Sequence, residues 1–404
     1  MDIRKYRQDF PILQEGAGKK PVVYLDTACQ SLRPRQVIEA ISEYYLKVSA
    51  CSGRSMHRLA AEVTHGVDQS RTLLARFFNA SRKEEIVFTR NTTEGINLVA
   101  NSLGLKAGDT VLISDKEHNS NLIPWQILAK KQGVAVKIIP SKADNTFDLA
   151  AYEALFDATV RLVALGVTSN LDGVSVPAAE IVKKAHQYGS LVLFDAAQTA
   201  PHRAINVKAL DIDFMALSGH KMLGPSGTGI LYGKYALLER MEPFLVGGDT
   251  VASSTYTSCE FLPPPEKFEA GLQDYAGIFG LGAAVKYLQN VGLDAIQKQE
   301  ALLNECITSE IKDIPGLRII GPVDPRLRGG ITSFTIDGID SHRIALMLDQ
   351  MAGIMVRSGQ HCVHSWFNSR KIKGSVRASL YFYNTLEEVE LFTSSLKKIR
   401  KVLA

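Results

Sequence analysis

Leu191-Val192-Leu193-Phe194-Asp195-Ala196-Ala197-Gln198 is an apolar run that ends in a carboxylate, and Ser218-Gly219-His220-Lys221 closes the apolar run that follows it. A segment apolar on both faces reads as a strand buried on both sides, the habit of parallel sheets covered by helices. Asp195 and Lys221 then stand at the ends of two buried strands, where open α/β sheets collect their ligands. An acid and a lysine delivered to one place are what pyridoxal phosphate (PLP) requires. The lysine forms the Schiff base, and the acid faces the pyridinium nitrogen and keeps the ring an electron sink.

Working outward, strand-like runs at Ile86–Thr89, Thr110–Ser114, Ala135–Ile139, Leu162–Val167, Leu191–Asp195, Phe214–Ser218 and Gly229–Tyr232 alternate with amphipathic ones. The helical pattern covers Pro34–Val48, Thr64–Phe78, Thr92–Leu103, Ile123–Lys131, Pro177–Tyr188 and Tyr235–Met241. This alternation predicts an α/β fold with a mostly parallel, seven-stranded sheet covered on both faces. From about Asp294 the order changes. A long helix (Ala295–Ile311) precedes strands at Leu317–Ile320 and Thr332–Ile336, a helix at Ser341–Met351, strands near Ile354–Arg357 and Ser375–Ser379, and a last helix over Thr385–Val402. The reading is a large domain over residues 21–293 and a smaller α+β domain over 294–404, with residues 1–20 packing on the smaller one.

The 404 residues suffice for a large core, and 46% hydrophobic with 22% charged residues is ordinary for a soluble globular protein. The net charge of +4 comes without a basic tract beyond Lys397–Lys401, which suits the end of a helix. Neither nucleic acid nor membrane is indicated as a partner. Five cysteines without paired spacing argue against a disulfide framework or a structural zinc site and point to a reducing cytoplasm.

Several segments follow predicted strands and so belong near one site. Asn91-Thr92-Thr93-Glu94-Gly95 opens a helix and offers hydroxyls and free N–H groups to a phosphate, or forms a plain cap. His118, after Val111–Asp115, can stack on a pyridine ring and relay protons, or lie at the surface. Gln198 can donate to a phenolate oxygen, while Ser218 and His220 flank the lysine within reach of phosphate. In Arg357-Ser358-Gly359-Gln360-His361-Cys362-Val363-His364, a cysteine among cationic groups has the setting of a reactive thiol. Zinc ligation by His361, Cys362 and His364, or an inert buried thiol, are the alternatives. Arg377 can form a bidentate pair with a substrate carboxylate. The glycine-rich Gly277–Gly282 lies in a predicted helix, where small residues serve close packing.

These residues together resemble the class V aminotransferase-like PLP enzymes, and within them the group II cysteine desulfurases, with selenocysteine lyases as close kin. The resemblance is carried by Tyr24-Leu25-Asp26-Thr27-Ala28, Phe88 through Val99, Glu117-His118, Asp195-Ala196-Ala197-Gln198, Ser218-Gly219-His220-Lys221, Phe268-Glu269-Ala270-Gly271, Arg357 through Cys362 and Arg377-Ala378-Ser379. It implies PLP-dependent transferase fold type I, with Lys221 carrying the cofactor, His118 stacking on it and Asp195 and Gln198 holding ring atoms. It further implies that Thr92, Thr93, Ser218 and His220 hold phosphate, that Asn170, Arg357, Arg377 and His57 bind substrate, and that Cys362 accepts sulfur. Four positions depart from the family pattern: Gly53 and Asn119 stand where histidines are usual, Gln360 where a histidine precedes the last one, and Leu272 where a phosphate-binding threonine comes from the partner subunit.

The activity so implied is removal of sulfur from L-cysteine, giving L-alanine and a Cys362 persulfide for sulfur transfer such as iron–sulfur cluster assembly. It is expected of a homodimer with a possible sulfur-acceptor protein. A selenocysteine lyase, another C–S lyase or aminotransferase of the superfamily, and a non-catalytic sulfur-carrier scaffold are the other readings.

Overall fold

The structure, a computed structural model, describes residues 3–15 and 22–403. Its main sheet has seven strands: β1 (Ile86–Thr89), β2 (Thr110–Ser114), β3 (Ala135–Ile139), β4 (Val160–Gly166), β5 (Leu191–Asp195), β6 (Phe214–Ser218) and β7 (Gly229–Gly233). They lie in the order β1-β7-β6-β5-β4-β2-β3, and only β7 runs against the rest. The carboxyl ends of the other six therefore share one edge.

The principal helices are α1 (Arg58–Phe77), α2 (Thr92–Ser102), α3 (Ile123–Gln132), α4 (Ala178–Gln187), α5 (Tyr275–Val291), α6 (Leu293–Ile311), α7 (Ser341–Ala352) and α8 (Leu386–Val402). Side chains of successive residues on a strand point to opposite faces. On β5, Leu193 enters the core beneath α2 and α3, whereas Phe194 enters the one beneath α1, α4 and α5. Both are fully buried, which explains why β5 and β6 read as continuous apolar runs rather than alternating ones.

A four-stranded antiparallel sheet follows: β8 (Leu317–Ile320), β9 (Ile331–Ile336), β10 (Arg357–Gly359) and β11 (Ser375–Ser379), in the order β8-β9-β11-β10. It shares a core with α6, α7 and α8. The division we propose, near residue 293, falls where α5 meets α6 and Gly292 takes φ 85°, a left-handed value open to glycine. Residues 1–2 and 16–21, part of the expected N-terminal packing, lie outside the described residues. Within 3–15, Arg7 pairs with Glu388 at 2.6 Å. Tyr6 and Phe10 set their rings against both Tyr287 and Phe382.

Some elements differ from the sequence reading. α1 starts at Arg58, earlier than the expected Thr64, because His57 caps it by accepting from the Ala60 N–H at 3.2 Å. The expected strand Ile354–Arg357 is split. Ile354–Met355 pairs with Val23–Tyr24, and Arg357 begins the strand paired with β11. A hairpin at Val251–Ser254 and Cys259–Phe261 carried no alternating pattern to reveal it. Gly282 of α5 serves close packing, since a Cβ there would come within 2.5 Å of Ser70 Oγ on α1.

Arg71 of α1 ties three elements together. It forms a two-pronged pair with Glu269, at 2.7 and 2.9 Å, and also donates to the Ile86 carbonyl at 2.6 Å. The Phe88 N–H donates to the same carboxylate at 2.7 Å. Glu269→Ala leaves a buried guanidinium and an amide without their acceptor. We expect it to lower the unfolding free energy by about 3–5 kcal/mol, seen as a lower urea midpoint at unchanged m-value.

Candidate active site

The strand ends at the shared edge deliver their side chains one by one. After β1, Asn91 caps α2 by accepting from the Glu94 N–H at 3.0 Å. This sets the N-terminus of α2 beside the hydroxyls of Thr92 and Thr93. Ser218, the last residue of β6, receives the Thr92 N–H at 2.9 Å and lies 2.7 Å from Thr92 Oγ1. Thr93 Oγ1 lies 2.7 Å from Ser120 Oγ. These hydroxyls and amides form a neutral, donor-rich cradle at a helix N-terminus, which suits a phosphate.

β5 ends in Asp195, which is buried and accepts the Ala197 N–H at 2.9 Å. The next turn after β6 carries Lys221. Burial pushes the Lys221 amine down and the Asp195 carboxyl up, and each opposes the other's shift. Such a pair suits an amine that must be neutral to react and an acid that must meet a buried cation. Burial also lowers His118 to about 3 and His220 to about 4, with Lys221 adding to both. His118 is therefore a neutral, flat ring at working pH.

Arg357 and Arg377 are directly opposed on β10 and β11. Like charges facing each other across strands are unfavourable unless an anion joins them. Arg377 donates to Asp26 at 3.3 Å and to the Asn170 carbonyl at 2.9 Å, and its buried Nε has no partner. Two opposed guanidinium groups, one with a donor still unpaired, fit a carboxylate. Asn170 in turn donates to the His361 carbonyl at 2.7 Å. The Asn119 N–H donates to the Cys362 carbonyl at 2.8 Å, and its side chain meets His364 Nδ1 at 2.8 Å. Asn119 thus anchors the cysteine loop. His361 and Cys362 both hold left-handed backbone, with φ 49° and 59°.

These groups surround one cavity of about 260 Å³. Lys221, Asp195, His118, Gln198, Ser218 and His220 line it, as do Thr92 and Thr93. Asn170, Arg357, Arg377 and Cys362 complete the expected set. Gln198 donates to the Ala28 carbonyl at 2.7 Å, which fixes its amide. His57 is the exception. It lies exposed at the start of α1, outside this cavity, because its ring serves as the helix cap. Leu272 is also outside it and 70% exposed. His361 and His364 turn to Ser375 and Asn119, and among the described residues no three His, Cys, Asp or Glu side chains converge as a metal site.

Among the other lining residues, Glu117 and Cys29 carry groups that bear on the chemistry. Glu117 accepts from Ser114, Asn121 and the Gly166 N–H at 2.6, 2.8 and 2.9 Å, and burial raises it to about 7. Its place beside His118 after a strand was the available signal. Cys29 was visible only as one cysteine of five, and its partner Arg357 is remote in sequence.

Comparison with known proteins places this geometry in context. Residues 23–392 match the family described as aminotransferase class-V. A cysteine desulfurase of Enterobacter sp. (strain 638) is 41% identical, with 99% of each chain covered. A probable cysteine desulfurase of Synechocystis sp. is 42% identical over 97% of this chain and 94% of that one. Among solved structures, the apo cysteine desulfurase of Thermococcus onnurineus NA1 is 38% identical with a TM-score of 0.94, covering 99% of this chain and 98% of that one. The cysteine desulfurase CsdA of Escherichia coli is 32% identical with a TM-score of 0.92, each chain fully covered.

The low His118 value has a measurable consequence. Unfolded, the imidazole titrates near 6.5; folded, at about 3. Between these the unfolded chain holds more protons, so stability rises with pH across the window. Glu117 acts in the opposite sense between about 4.5 and 7, but equally in wild type and in His118→Gln. The urea midpoint should therefore fall less in His118→Gln than in wild type when pH drops from about 7 to about 5. Equal falls would reject a buried neutral His118.

Proposed function

We propose a division of labour among these residues, on the premise that the chain belongs to the aminotransferase class-V family and works as a PLP-dependent cysteine desulfurase. The observation that carries it is the single cavity around which Asp195, Lys221 and Cys362 stand. The donor set fits PLP: a phosphate cradle at α2, a buried acid for the ring nitrogen and a buried amine for the aldehyde. When bound, PLP binds the substrate amine and takes up the electron pair left at Cα.

Arg357 and Arg377, with Asn170, orient the carboxylate of L-cysteine. Lys221 holds the cofactor and moves the Cα proton at Nζ, for which its lowered proton affinity prepares it. His118 presents an uncharged face and does not compete for that proton. Asp195 keeps the proton on the ring nitrogen. Gln198, already fixed to Ala28, donates to the phenolate oxygen. Thr92, Thr93, Ser218 and His220 hold phosphate. The Cys362 thiolate attacks the substrate sulfur, the C–S bond breaks with its electron pair left on Cβ, Cβ takes a proton and alanine leaves, and the sulfur stays on Cys362 as a persulfide. Anchorage of Cys362 by Asn119 sets the approach of its sulfur.

A homodimer is the working assembly. Exposed Met56, Val246, Tyr256 and Leu272 on neighbouring loops support it as apolar surface for a second copy. His57 belongs to that loop surface, and a substrate role for it runs through the neighbouring copy. An acceptor protein takes the sulfur onward, with iron–sulfur assembly as the consumer. Five free cysteines support a reducing cytoplasm, and no helix among the described residues is long and apolar enough to cross a membrane.

The test is alanine formation from L-cysteine by wild type and Cys362→Ala. The variant should fall by at least about 100-fold. Equal turnover would reject the nucleophile. Selenocysteine turned over far faster than cysteine, with Cys362→Ala unimpaired, would make the enzyme a selenocysteine lyase.

A further inference from the structure

Cys29 is a second thiol in the same cavity as Cys362. It follows Asp26-Thr27-Ala28, and its position is fixed from three sides. Its N–H donates to the Asp26 carbonyl at 3.0 Å, and the preceding Ala28 is held by Ser379 Oγ at 3.0 Å. Arg357 Nη1 donates directly to Cys29 Sγ at 2.8 Å. The arginine that aims this sulfur begins the strand leading into the Cys362 loop, so one segment positions both thiols. Both cysteines line the cavity together with Lys221. By contrast Cys51 and Cys259 are exposed and outside it, and Cys306 packs against the smaller sheet's core.

We propose that Cys29 is a second sulfur carrier that takes the terminal sulfur from the Cys362 persulfide. The inference rests on the reading of Cys362 above. The Cys29 thiolate attacks the outer sulfur of the persulfide. A bond forms between Cys29 Sγ and that sulfur, the bond to Cys362 Sγ breaks, and Cys362 leaves as a thiolate. The proton lost by Cys29 is balanced by the one Cys362 regains. The transferred sulfur keeps its oxidation state, so no oxidant or reductant is consumed. Cys362 is then free for a second substrate before any acceptor arrives, and one protomer stores two sulfurs.

The experiment mixes holoenzyme with excess L-cysteine and no thiol acceptor. It reads the alanine burst, the cyanide-labile sulfur, and the peptides carrying added sulfur by mass spectrometry. Wild type should show a burst twice that of Cys29→Ser, with added sulfur on the Cys362 and Cys29 peptides. The Cys29 label should vanish in Cys362→Ala. Serine can still accept from Arg357, so a wild-type burst in Cys29→Ser would mean that Cys29 only positions the arginine, overturning the proposal. Labelling of Cys51 and Cys259 equal to that of Cys29 would overturn it as unselective exchange, and so would label on Cys29 in Cys362→Ala. Absence of sulfur on Cys362 itself, with alanine still formed, would instead reject the underlying reading. In Cys29→Ala, sulfur retained on Cys362 at half the total supports the relay and shows that the fold is intact.

Discussion

A buried carboxylate facing a buried amine is the constraint from which the site is built. Asp195 and Lys221 sit at the ends of adjacent parallel strands, in surroundings that disfavour charge on either. Isolated, each would cost stability. Held across one cavity, they make a space that wants a polar ring between them. The sheet sets this separation: β5 and β6 are buried on both faces, so neither end can shift without disturbing two cores.

The second constraint is the junction between the two sheets. The loop bearing Cys362 comes from the four-stranded sheet, yet Asn119 and Asn170 of the larger sheet's loops hold its backbone. Left-handed φ values at His361 and Cys362 are kept by those hydrogen bonds. The nucleophile thus belongs to one sheet by sequence and to the other by contact. Arg357 and Arg377 repeat the theme. They oppose each other on the small sheet, and the segment 26–29 from the other end of the chain partners both, through Asp26 and Cys29.

Much of this was readable from local pattern. Strand runs such as Phe214–Ser218 announce themselves because double-sided burial leaves no polar residue to interrupt them. The helix at Thr92 announces itself by Asn91, a strong cap. The miss at α1 has the opposite cause: histidine is a rare cap, and its role appears only when its ring nitrogen is seen accepting from Ala60. Glu117 looked like a neighbour of His118; two of its donors, Ser114 and Asn121, are local, but the third, the Gly166 N–H of β4, is remote and no spacing connects it.

Composition and periodicity alone thus determined the layered α/β architecture, the order of its strands along the chain and the chemistry of the side chains at their ends, since burial and helix capping are written in neighbouring residues. The tertiary structure decided which of those side chains share a cavity, that His57 does not, and that Cys29 does. Contacts of that kind join positions hundreds of residues apart, and their existence depends on how two sheets close on each other rather than on any local preference of the chain.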